Sequence, residues 1–141
     1  MYPVGTELTP RMKNWIEALG VHVATATAKG YPTVIVADSC KVERDVIRIP
    51  ITAKQKDQIA GNLAENKNVA LAPGQLGAVR APYQFKGKGR IEGNELVVEV
   101  EKIYCTKPGA EAGLRLDVLG YEKMKEFEES RWKDLTPPGN R

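Results

Sequence analysis

Thr52, Lys54, Gln55 and Lys56 crowd two cations, a hydroxyl and an amide into five residues. Those side-chain types suit one task, the gripping of an anion. Residues 46–52 (VIRIPIT) alternate apolar and polar, as a half-buried strand does. Residues 52–56 turn from it into a helical stretch over 57–65. Residues 66–68 (NKN) break that stretch, and 69–71 (VAL) start another strand. The basic turn therefore stands where a helix begins. Free N–H groups and the positive end of the helix dipole favour negative charge there. Two cations are unfavourable at that end unless an anion joins them. The plain alternative is a solvated lysine pair. A phosphate-bearing ligand is the expectation, and the rest of the chain is arranged around residues 46–71.

Other chemistry is scarce. His22 is the only histidine, so a histidine zinc site or a Ser-His-Asp triad would rest on it alone. It reads as a half-exposed strand residue. No metal site is expected, and no catalytic residue is identified. Cys40 and Cys105 are far apart with no CxxC pattern, which points to reduced thiols in a cytoplasmic protein. The net charge of +3 is mild, whereas a nucleic-acid binder usually carries a basic stripe. No apolar run approaches membrane-spanning length, and residues 1–20 hold no signal-peptide core. The 141 residues read as one domain, 1–141, large enough for one core.

The positioning elements follow from periodicity. Thr9 and Pro10 cap and start a helix with Met12, Trp15, Ile16 and Leu19 at helical spacing, and Gly20 ends it. Residues 21–27 alternate as a strand, with Val21, Val23, Thr25 and Thr27 on one face. Lys29-Gly30 makes a hairpin turn. Residues 33–37 form an almost continuous apolar run, which suggests a strand covered on both sides, one of them by a ligand. Asp38 could accept hydrogen bonds from a heterocycle or merely end the strand. Residues 43–45 read as a polar turn.

Residues 72–82 form a long loop of the functional or interfacial kind. Residues 83–91 read as a strand weakened by Gly87 and Gly89, which suggests a bulge or a close backbone neighbour. Residues 95–105 alternate best of all. Residues 121–132 read as a charged helix with Met124, Phe127 and Trp132 on one face, and 136–139 as a frayed tail. The expected architecture is mainly β with flanking helices, a six-stranded antiparallel barrel whose closure removes exposed edges.

With these residues in place, the chain resembles the FMN-binding split-barrel family, which includes pyridoxamine phosphate oxidase and small FMN-binding proteins. The resemblance covers roughly residues 20–105. It rests on Lys54-Gln55-Lys56 followed by Asn62-Leu63-Ala64-Glu65-Asn66 and Val69-Ala70-Leu71, on Gln84-Phe85-Lys86 leading to Gly89, and on the hairpin of residues 28–37. It implies a split β-barrel, bound FMN and a homodimer with the flavin at the subunit boundary. Val34, Val36 and Ala37 would pack on the ring, and Gln84 would contact it. Backbone groups at Pro50, Ile51 and Thr52 would bond its polar edge. Thr52, Lys54, Gln55 and Lys56 would hold the phosphate. The basic turn is about a residue longer here than in the oxidases. Their substrate-binding arginine and histidine have no match near the C-terminus, so pyridoxamine phosphate is not the expected substrate.

The expected function is that of an FMN-binding oxidoreductase or electron-transfer protein with a small-molecule redox partner. The sequence leaves turnover itself open. One alternative is a non-catalytic flavin, deazaflavin or haem binder. Another is an OB-like single-strand binder that stacks bases on Tyr83 and Phe85.

Overall fold

Thr9 caps the first helix, α1 (Pro10–Leu19), by accepting the Met12 N–H on its Oγ1 at 3.3 Å. The computed structural model describes residues 7–74, 82–107 and 109–132. Most of the long loop expected over 72–82 and the tail over 136–139 lie outside them. Met12, Trp15, Ile16 and Leu19 are buried along one side of α1. Gly20 closes the helix at φ 76°, and a Cβ there would lie 2.3 Å from the Ala37 carbonyl oxygen. Only glycine serves both the backbone angle and that approach.

The chain continues through β1 (Val21–Ala26), β2 (Pro32–Ala37), β3 (Lys41–Glu43) and β4 (Val46–Pro50). Helix α2 (Ala53–Glu65) leads to β5 (Asn68–Pro73), β6 (Tyr83–Glu92) and β7 (Glu95–Cys105). A 3-10 turn (Asp117–Leu119) precedes α3 (Tyr121–Trp132). All neighbouring strands pair antiparallel, in the order β2-β1-β5-β6-β7-β4-β3. The sheet curls into a half-barrel of seven strands rather than six. The extra strand is β3, three residues paired with β4 and too short to show a period. The turn after it reaches its geometry through Arg44, at φ 61°.

Strand alternation sorts the two faces. Ile35, Val23, Leu71, Phe85 and Ile103 pair across five strands, and all are buried. The next register row, Val34, Ala24, Ala70, Lys86 and Lys102, faces outward. Helix α2 packs against β1, β2 and β6 and buries Ile59, Asn62 and Leu63. The buried Asn62 amide donates to Thr25 Oγ1 at 3.0 Å, so two polar groups satisfy each other inside the core.

Strand β2 is an edge strand. Its inward residues Ile35 and Ala37 are buried, while Val34 is 60% and Val36 49% exposed. The core covers one face of its apolar run, and the open face with Val34 and Val36 is the one expected to meet a ligand. Tyr83 and Phe85 are fully buried, so they offer bases no stacking platform. Gly87 makes the bulge expected in β6, against a close backbone neighbour of the same sheet. The register shifts between Lys86 and Gly87, and a Cβ on Gly87 would stand 1.9 Å from the Glu99 carbonyl oxygen. Gly89 faces Val69 and Leu63 in the core.

No helix among the described residues is long and apolar enough to cross a membrane. Cys40 and Cys105 are free and buried. The Cys40 thiol donates to the Ile16 carbonyl at 3.4 Å, and burial pushes its pKa to about 12.

Candidate functional site

Helix α2 starts with a reciprocal cap. Thr52 Oγ1 accepts the Gln55 N–H at 3.1 Å, and Gln55 Oε1 accepts the Thr52 N–H at 3.0 Å. The cap holds Thr52 extended and turns the chain into the helix at Ala53. The first turn contains no acidic residue, so no carboxylate of the turn offsets the positive dipole end. Lys54 and Thr52 are exposed there. Lys56 is half-buried and donates from Nζ to the Gly93 carbonyl at 3.1 Å, tying the helix to the β6–β7 turn.

The helix start sits against β2. Gln55 Nε2 donates to the Val36 carbonyl at 2.8 Å. In the β1–β2 hairpin, the Thr27 N–H donates to the Tyr31 carbonyl. Hydrogen-bonded and non-hydrogen-bonded pairs alternate from there, so Pro32, Val34 and Val36 turn their peptide groups away from β1. The Val36 carbonyl therefore belongs to the free edge of the sheet, and Gln55 reaches it there. At the far end of the helix, Glu65 Oε1 accepts the Ala28 N–H at 3.0 Å. Both ends of α2 are thus fastened to the β1–β2 hairpin.

This arrangement brings together Val36, Thr52, Lys54, Gln55 and Lys56. Val34 shares the exposed face of Val36, whereas Ala37 points into the core on the opposite face. Pro50 is exposed at the end of β4. Ile51 is buried, and its N–H donates to the Asn94 carbonyl at 2.9 Å, so that N–H already has a partner. Asp38 is exposed just beyond β2, and its backbone abuts Gly20. Gln84 is half-buried on β6, opposite Tyr104. Three strand spacings separate β6 from β2, about 14 Å along the sheet, so one protomer does not set Gln84 beside the basic turn.

Both ends of the Gln55 amide are engaged, which leaves that side chain little to offer the expected phosphate. The spacing Thr52-x-x-Gln55 is itself the capping-box signal and was legible in the sequence. No comparable signal announces the bond to Val36. Among the described residues, no cluster of histidine, cysteine, aspartate or glutamate could hold a metal ion.

A curled antiparallel half-barrel with a helix crossing between its strands defines the split-barrel fold, as the resemblance implied. Solved structures agree. HupZ of Group A Streptococcus superposes with a TM-score of 0.59 at 23% identity, over 75% of this chain and 99% of that one. A proposed pyridoxamine 5'-phosphate oxidase of Lactobacillus delbrueckii gives 0.58 at 19%, over 71% and 95%. An FMN-binding protein of Syntrophomonas wolfei gives 0.54 at 12%, over 71% and 85%. HutZ, a haem storage protein of Vibrio cholerae, gives 0.50 at 15%, over 70% and 94%. No family model and no curated protein matches the chain.

Proposed function

We propose that this chain is an FMN-binding flavoprotein that exchanges hydride or electrons with a small-molecule partner. One observation carries the proposal: a helix start with two lysines and no acidic residue lies one hydrogen bond from a strand with two exposed valines. FMN joins a phosphate to a largely apolar tricyclic ring, and the two halves of the site suit those two chemistries. Thr52, Lys54 and the first N–H groups of α2 would hold the phosphate, with Lys56 close by. Val34 and Val36 would take the ring. Ala37, turned into the core, drops out of the ring contacts, and Gln55 supports the site rather than touching the ligand. The flavin, when bound, supplies the redox chemistry, and the protein binds and orients it.

An exposed face of this kind leaves a ring open to water. A second copy of the chain would cover it, and it would also bring in groups such as Gln84 that one protomer keeps at a distance. The protein is therefore proposed as a homodimer with the ligand at the subunit boundary, working in a reducing compartment such as the cytoplasm. Light scattering that finds a monomer mass while FMN stays bound would refute the dimer.

A haem reading draws support from His22, which is half-exposed and pairs with Val36 across the β1–β2 hairpin. The visible spectrum of the purified protein separates the cases. Flavin bands released on denaturation are expected. A Soret band altered by His22→Ala would replace the flavin reading. FMN reconstitution with neither fluorescence quenching nor a spectral shift would overturn it.

A further inference from the structure

Gln55 has both ends of its amide in use. The orientation of that amide is fixed by its neighbours, since Oε1 meets the Thr52 N–H and Nε2 meets the Val36 carbonyl. A flipped amide would set donor against donor and acceptor against acceptor. A residue held this way has little left to offer a phosphate. It does something else: it joins the two chemically distinct halves of the proposed site. One end belongs to the anion-favouring start of α2, and the other to the free edge of the apolar strand β2.

We infer that Gln55 is a positioning residue that fixes the spacing between the phosphate half and the ring half. The inference rests on the FMN proposal above. A ligand touching only one half is indifferent to that spacing. A ligand touching both binds best when the spacing is set before it arrives, because it need not order the two halves itself. Gln55 thus raises the preference for FMN over riboflavin without contacting either.

Two variants isolate this role. Gln55→Glu keeps an acceptor for the Thr52 N–H, so the capping box survives, but it cannot donate to the Val36 carbonyl. Gln55→Met loses both bonds and adds no charge. FMN and riboflavin are titrated against both variants and the wild type, with thermal unfolding in parallel. The expected result is a fall of about threefold to tenfold in FMN affinity in both variants, the scale of one net hydrogen bond. Riboflavin affinity should stay within about twofold, and Gln55→Glu, which keeps the capping box, should lower the unfolding midpoint less than Gln55→Met.

Weakening by Gln55→Glu alone would trace the effect to the new charge and overturn the inference. Equal weakening of both ligands, or unchanged FMN affinity, would overturn it too. A wild-type protein that binds no FMN would remove the FMN proposal, and this inference with it, before either variant is compared.

Discussion

Thr9 and Glu128, 119 residues apart, meet inside the protein: Thr9 Oγ1 donates to Glu128 Oε2 at 2.8 Å. The Tyr83 hydroxyl donates to the same oxygen. One carboxyl of α3 therefore joins the cap of α1 to the start of β6. Burial pushes the Glu128 pKa up, against the lowering effect of the two hydrogen bonds and of Arg11. Burial, with the nearby Glu128 charge, likewise raises that of Tyr83.

The first prediction concerns this junction. A carboxyl whose folded pKa lies above its unfolded value stabilises the protein fully below the unfolded value. That contribution is lost as pH rises through the folded value. The Glu128 contribution should therefore decline as pH climbs from the ordinary glutamate range, and Glu128→Gln should remove that part of the slope. Glu128→Ala should cost about 1–3 kcal/mol, because it strands the buried hydroxyls of Thr9 and Tyr83. Urea unfolding across pH 4 to 8 measures both effects, in roughly the range where glutamates titrate in folded proteins. A Glu128→Gln slope that matches the wild type, or falls more steeply with pH, would contradict the assignment.

The second prediction divides the work of the two lysines. A charge-assisted hydrogen bond is worth about 1.5–3 kcal/mol, and about 1.4 kcal/mol is tenfold in affinity. Lys54→Ala combined with Lys56→Ala should weaken FMN by at least about tenfold while leaving riboflavin nearly unchanged. Lys54 is exposed, so its share should shrink in high salt. Lys56 also holds the Gly93 carbonyl, so Lys56→Ala should lower thermal stability as well. Parallel titrations and melting curves decide. Unchanged FMN affinity in the double variant would move the phosphate elsewhere.

The third prediction compares two glycines. Gly87→Ala drives a methyl into the Glu99 carbonyl and should cost more than about 3 kcal/mol or prevent folding. Gly93 also has a positive φ, 59°, but has open space around it. Gly93→Ala should cost only about 1 kcal/mol, the backbone contribution alone. Chemical denaturation that ranks the two equally would refute the account of the bulge.

The fourth prediction uses a like-charged pair. Lys86 and Lys102 stand directly opposite each other on the outward face of β6 and β7. Elsewhere on these strands Lys88 faces Glu99, and Arg90 pairs with Glu92 and Glu99. Lys102→Glu should stabilise the protein by roughly 0.2–1 kcal/mol, less in high salt. A loss of stability at low salt would show that the pair carries no net repulsion.

What the sequence reveals here depends on how far apart the cause and its effect lie. Thr9, Pro10 and Gly20 bound α1 by local rules, so the first helix was legible almost to the residue. The alternation over 46–50 and 95–105 was legible for the same reason. Strand β3 was not, because three residues become a strand only when β4 lies beside them. Glu128 reads as part of a charged helix face until Thr9 and Tyr83 surround it. In the site itself, the lysines and the helix start were visible in order. The division of Val36 from Ala37, and the second partner of Gln55, were set by the sheet edge and became visible only in the fold.

That edge has a consequence for how the protein survives at high concentration. An apolar strand with unpaired peptide groups is a template on which foreign strands can add, the first step towards an ordered aggregate. Strand β2 runs from Pro32 to Ala37 without a single charge. Two features blunt it. Pro32 has no N–H to offer at the free side, and the carbonyl of Val36 is already taken by Gln55. What remains open on that side is the Pro32 carbonyl, both peptide groups of Val34 and the Val36 N–H, a short stretch on which to seed a growing ladder.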